Sequence, residues 1–302
     1  MNDNLLLLKS LMSVLFVGII IQCTSQESAW STEYPEPLPD SAALRFLPGI
    51  VSRDSLDFNS AFSRDGSKFY FAGSAKGKWI IYMSEWKEGT WNKPVLAPFT
   101  ELDYSQADPF VSADGTIYYI SNRPRNATGP AEDFDIWYVR PQRDGSWSKP
   151  ENLGAVNSDS TEYYVSVADN GNVYFASNRK GSLGDHDIYM SRYEHGKYST
   201  PENLGPSINS LQMEHDPMIA PDESYMIFTS VDRNDSKGSG DLYYSLRNAD
   251  GSWSQAKNMG NKVNTDTYEY CSYVTPDGKY LFYSSEFDVK WIGTSQFSWM
   301  TH

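Results

Sequence analysis

The sequence predicts an all-β protein assembled from five repeated four-stranded antiparallel units. The first observation is a tight turn followed by an alternating apolar run, which recurs at Asp65-Gly66, Asp114-Gly115, Asn170-Gly171, Asp222-Glu223 and Asp277-Gly278. The second residues of these pairs lie 49, 56, 52 and 55 positions apart, a period that belongs to repeated supersecondary units. The second observation is that, from Ala43 onward, short alternating runs are separated by turn residues and no stretch sustains a helical period. The third is composition: 15% aromatic residues, including 21 Tyr and 9 Trp in 302 residues, suit pleated, half-buried surfaces.

Taken in order, the chain opens with Lys9 and then an apolar run from Leu11 to Ile21 that is short for crossing a bilayer but long enough for a signal-peptide core. Residues 1–23 resemble a bacterial lipoprotein signal, with Ile20-Ile21-Gln22-Cys23 in the place of the lipobox and Gln22 where a small residue is usual. This implies lipidation at Cys23; simple secretion and an uncleaved anchor are the alternatives. Residues 24–42, rich in Ser, Glu and Pro, are expected to form an extended tether. The repeats occupy 43–302.

The second repeat displays four expected strands: Asp108 to Ser112, Thr116 to Ser121, Asp135 to Arg140, and one around Trp147-Ser148-Lys149-Pro150. The third repeat does the same, ending at Tyr198-Ser199-Thr200-Pro201, and the fourth places its last strand around Trp253. Proline suits that last strand, because an edge strand does not require every N–H. The fifth repeat has strands at Tyr280 to Ser285 and near Phe297 to Met300 but no fourth, whereas Phe46 to Ser52 reads as a fourth strand with no repeat of its own. Pairing the surplus with the deficit closes a ring and removes exposed sheet edges. The expected fold is therefore a five-bladed β-propeller whose last blade is completed by an N-terminal strand, as a monomeric domain.

The units resemble the WD40-like β-propeller repeats of periplasmic proteins, including TolB-like repeats. The resemblance rests on the Asp-Gly turns, on Ser121-Asn122-Arg123 and Ser177-Asn178-Arg179, on Asp135-Ile136-Trp137 and Asp187-Ile188-Tyr189, and on the Trp-x-x-Pro ends. It implies a bacterial envelope protein, here an outer-membrane lipoprotein facing the periplasm or the cell surface. Such propellers serve as binding scaffolds and as enzymes alike.

Net charge of −14 and a pI near 4.7 argue against nucleic acid and anionic lipid head groups as partners, leaving the membrane to be met through a lipid anchor only. Two cysteines, Cys23 and Cys271, exclude a disulfide framework; Cys271 is expected to be a buried structural thiol. No nucleophile elbow, phosphate loop, His-Glu-x-x-His or Cys-x-x-Cys occurs, and with four His no multi-histidine metal site is expected.

Aligning the repeats on their turns places three columns at the start of the inner strands: Asp57, Gln106, Glu162, Glu214 and Glu269; then Phe58, Ala107, Tyr163, His215 and Tyr270; then Asn59, Asp108, Tyr164, Asp216 and Cys271. In a closed ring these columns converge on one mouth of the channel. The candidate ligand-binding residues are Asp57, Gln106, Asp108, Glu162, Tyr163, Glu214, His215, Asp216, Glu269 and Tyr270, with acids for a hydroxyl-rich ligand or a cation and aromatics for sugar faces. The competing expectation is that an acid repeated in nearly every blade serves the blade's own hydrogen bonding. No cofactor is required; Ca²⁺ is the one ion the acidic loops around Asp133 and Asp185 suggest, and the preferred account of those loops is structural, ion pairs from Arg123, Arg179 and Arg233 to Asp135, Asp187 and Asp241. The expected function is non-catalytic binding of an envelope protein or glycan, with a carbohydrate-active enzyme, a glycoside hydrolase or lyase using Asp57, Glu162, Glu214 or Glu269, as the alternative.

Overall fold

A computed structural model describes residues 30, 32–53, 55–126 and 129–300; Cys23 and the signal-like segment lie outside them. The described residues form five four-stranded antiparallel sheets. Blade 1 comprises Asp57–Phe62, Lys68–Ala75, Lys78–Lys87 and Val95–Leu96, and blade 2 comprises Gln106–Val111, Ile117–Ser121, Asp135–Val139 and Glu151–Asn152. Blade 3 runs Glu162–Val167, Val173–Ser177, Asp187–Ser191 and Glu202–Asn203; blade 4 runs Met213–Ile219, Tyr225–Val231, Gly240–Leu246 and Lys257–Asn258. Blade 5 takes Glu269–Val274, Tyr280–Ser285 and Asp288–Gly293 from the end of the chain and Leu44–Arg45 from its start.

Closure occurs as expected but through Leu44–Arg45 rather than Phe46 to Ser52, most of which turns back on itself, with Leu44 opposite Trp291 and Arg45 opposite Lys290. Phe46 follows directly, donates its N–H to Val289 O at 2.8 Å, and is fully buried among Phe62 and Phe69 of blade 1 and Phe282 and Trp291 of blade 5. One residue therefore joins the two ends of the array through apolar contact as well as through the sheet.

Three expectations are corrected. The rim strands are two-residue segments that begin after the Trp-x-x-Pro motifs, because Trp147 and Trp253 instead turn back onto Pro141 and Arg247. The third strand of blade 5 is Asp288–Gly293, whereas 297–300 follow a short 3₁₀ turn; the tight reversal at Glu286 and Phe287, both at positive φ, returns the chain as soon as Lys76-Gly77 does in blade 1 and sooner than in blades 2 to 4. The predicted tether is partly docked: the Trp30 ring packs on Phe62 and against Gly66, and Tyr34 donates to Asp277 Oδ1 at 2.8 Å. Gly66 is required there, since a Cβ would stand 2.8 Å from the indole.

The turns explain their own recurrence. Asp114 Oδ1 accepts from Ser112 Oγ and Thr116 N, and Asp65 and Asp277 do the same in their blades, while the following Gly takes positive φ at little cost. Every inner strand carries a bulge, with Asn59, Asp108, Tyr164, Asp216 and Cys271 at φ of 42 to 65°. A bulge re-aims side chains, and here it does so in all five blades at one level of the channel.

Candidate binding site

The first column of acids belongs to the scaffold. Glu214 is fully buried and accepts from Ser210 N and Oγ, both at 2.7 Å, from Ser230 Oγ at 2.6 Å, and from Arg233 at 3.0 Å. Glu162 repeats this with Ser158, Ser177 and Arg179, and Glu269 with Thr265 and Ser285. Asp57 is clamped by Arg53 and Ser55, and Gln106 accepts from Glu101 N. These five residues fasten the loop entering each blade, and none of them lines the mouth.

The expected Arg–Asp pairs are accordingly replaced. Arg179 and Arg233 pair with Glu162 and Glu214, and Arg123 with Glu101. Register dictates this, since Glu162 faces Ser177 and Glu214 faces Ser230, leaving the arginine just beyond the strand beside the carboxylate. Asp187 and Asp241 instead accept loop amides at 2.7–3.1 Å, and Asp135 pairs with Arg125. Among the described residues no group of three or more His, Cys, Asp or Glu is arranged to hold a metal.

The second and third columns build the mouth. A chain of rings surrounds it: His186 to Tyr163 (5.3 Å between centroids), Tyr163 to Phe134 (5.7 Å), Phe134 to Trp79 (5.3 Å), Trp79 to Phe58 (5.9 Å), Phe58 to Tyr270 (6.2 Å), Tyr270 to Tyr268 (5.7 Å) and Tyr268 to His215 (5.9 Å). Within this belt lies a cavity of about 330 Å³ whose lining includes Asp108, Asp216 and Cys271. Tyr164 crosses the axis and donates to Ser272 O at 2.7 Å, tying blade 3 to blade 5 beside the acids. Of the sequence candidates, Asp108, Tyr163, His215, Asp216 and Tyr270 are therefore brought together.

The two acids are driven apart electrostatically. Burial, then the charge of Asp216, push the Asp108 carboxyl well above the usual carboxylate range, against the Tyr164 N–H and the Cys271 thiol. Burial acts on Asp216 as well, but His215 and the bonds from His215 and Cys271 outweigh it and hold this carboxyl below its ordinary value. His215 Nδ1 lies 3.0 Å from Asp216 Oδ1 and its Nε2 2.6 Å from the Tyr268 hydroxyl, a relay from carboxylate to phenol. Cys271 Sγ sits 3.3 Å from Asp216 and 3.9 Å from Asp108, and burial first, then both acids, raise its thiol well above the ordinary value, which keeps it inert. Opposite shifts on neighbouring carboxyls place one proton donor and one ionised acceptor at one cavity.

Trp79, Phe134, His186 and Tyr268 escaped the sequence reading. They stand on third strands and on connecting loops, which an alignment of inner strands does not bring into register. The detectable signal was their position at the strand ends that share the mouth.

No family model and no curated protein sequence matches this chain. Among solved structures, the chain is similar to a putative TolB from Agrobacterium tumefaciens, at 18% identity over 80% of this chain and 78% of that one, with a TM-score of 0.50. It is similar to TolB from Acinetobacter baumannii at 12% identity over 79% of this chain and 54% of that one, TM-score 0.50, and so spans about half of that protein. A thermostable family-43 glycoside hydrolase gives 12% identity over 86% and 91%, TM-score 0.54. At these identities the likeness is one of fold, and the TolB-like resemblance holds at that level.

Proposed function

We propose that this protein is an envelope-anchored propeller that binds a neutral glycan in the aromatic mouth without cleaving it. The observation that carries this reading is the ring belt around a small cavity that also holds hydrogen-bonding acids. Ring faces stack on the apolar faces of sugars, while a few placed polar groups orient the hydroxyls. Asp216 is already engaged by the Cys271 N–H and by His215, each at 3.0 Å, an arrangement suited to holding rather than to nucleophilic attack. The test is titration calorimetry with tetrasaccharides of glucose, xylose and mannose. Trp79→Ala is expected to weaken binding about tenfold, or ~1.4 kcal/mol; affinity unchanged in that variant would sink the reading.

A second reading, glycoside hydrolysis, draws on the opposed shifts of Asp108 and Asp216. Asp108 would hold the proton for the leaving oxygen and ionised Asp216 would act from across the cavity. Hydrolysis of the same tetrasaccharides, lost in Asp108→Asn, is the outcome that favours it over binding alone.

A further inference from the structure

The connector between the third strand and the rim carries an aromatic residue in each of the first four blades: Trp91, Trp147, Tyr198 and Trp253. Trp91 and Trp253 are buried, and Trp253 meets Tyr174 of the preceding blade edge-on at 6.4 Å. Blade 3 departs from the repeat. Its tyrosine, Tyr198, stands where the others have tryptophan, is half-buried like Trp147, and shares a wall with Tyr118 of blade 2. Beside it, at the end of the seam that bears the tight turns and faces away from the mouth, lies a cavity of about 570 Å³.

Its walls combine two kinds of group. Tyr118, Tyr138, Tyr193 and Tyr198 supply phenol rings; Tyr193 packs against Gly171, where a Cβ would come within 2.9 Å of the ring, and is 44% exposed. Arg140 stacks on Tyr138 at 4.5 Å and is already paired with Glu151 at 2.9 Å, while Asp114 lines the opposite side. A carboxylate beside a neutralised arginine, in a chain of net charge −14, disfavours an anionic ligand. One exposed ring and three half-buried ones alternating with hydrogen-bonding groups, in a volume within the range of about 300–1,000 Å³ typical of small-ligand sites, fit a neutral polyhydroxylated ring.

We infer that the seam between blades 2 and 3 is a second, independent binding site for a neutral oligosaccharide. Because it opens on the face opposite the mouth, one tetrasaccharide cannot occupy both. The inference does not depend on the mouth being a glycan site.

Calorimetry on the full chain with cellotetraose, xylotetraose, mannotetraose and maltotetraose tests it. Tyr198→Trp restores the residue of the other blades and pushes a larger ring into the cavity wall, so the fold and melting temperature are expected to persist while seam binding weakens at least tenfold. Tyr193→Ala, at an exposed ring, removes the stacking surface without filling the groove and is expected to do the same. A probe whose binding survives both variants but is lost in Trp79→Ala overturns the seam site and leaves the mouth standing. A probe lost in the seam variants yet retained in Trp79→Ala supports the seam alone. Failure of all four probes to bind the wild type overturns the inference.

Discussion

Asp108 and Asp216 carry the same side chain at the same level of the channel, yet their surroundings assign them opposite protonation. Asp216 has an imidazole at 3.0 Å and an amide at 3.0 Å; Asp108 has burial and a negative neighbour. The sign of the pH dependence follows. Folded Asp108 keeps a proton that the unfolded chain releases above the ordinary carboxyl range, so its contribution falls as pH rises from that range toward the raised value. Asp216 contributes in the reverse sense, with stability lost as acid protonates it. Asp108→Asn keeps the shape and cannot ionise. Thermal unfolding should therefore show a higher melting temperature than wild type at pH 7 and a converging one near pH 3; a variant no more stable at pH 7 would contradict the assignment. Tyr164 and Cys271 hold positive φ without the help that Asn or Asp side chains bring, at about 1–2 kcal/mol each. The bulge recurs in every blade, so that strain belongs to the repeat.

At the scale of elements, each blade is fastened twice: by its turn residue, Asp in four blades and Asn170 in blade 3, on one face, and by its inner-strand acid, or Gln106 in blade 2, on the other. The weak point is blade 5, whose rim strand Leu44–Arg45 comes from the far end of the chain and spans two residues. Phe46 compensates by filling the seam between blades 5 and 1, with ring centroids 4.8 Å from Phe282 and 5.0 Å from Phe69. Phe46→Ala leaves a cavity at the closing seam and should cost about 3–5 kcal/mol, lowering the melting temperature by roughly 10 °C. A shift of only a degree or two in calorimetry would show that closure does not rest on this contact.

Over the whole molecule, the turn face receives Trp30, Thr32 and Tyr34, and the mouth opens on the face opposite. If Cys23 is the anchor, seven residues before Trp30, about 25 Å of extended chain at most separates the lipid from the turn face, and the mouth points away from the membrane. Cys23→Ser should move the protein from the membrane fraction to the soluble fraction on ultracentrifugation. Retention in the membrane pellet would remove the anchored part of the proposal.

Repeat period, strand number per blade and the sharing of the last blade between the two ends were determined by the sequence alone. Turn residues and alternation are local signals, and a strand surplus at one end can be matched against a deficit at the other without coordinates. Only the tertiary structure decided which polar residues face the mouth. A carboxylate's role depends on what the paired strand sets beside it: Glu162 and Glu214 meet serines and an arginine and are consumed by the scaffold, whereas Asp108 and Asp216, two residues further along their strands, are turned by a bulge into the cavity. The rings of Trp79, Phe134 and Tyr268 come from separate strands and loops, and convergence across blades is a property of ring closure that no linear spacing expresses.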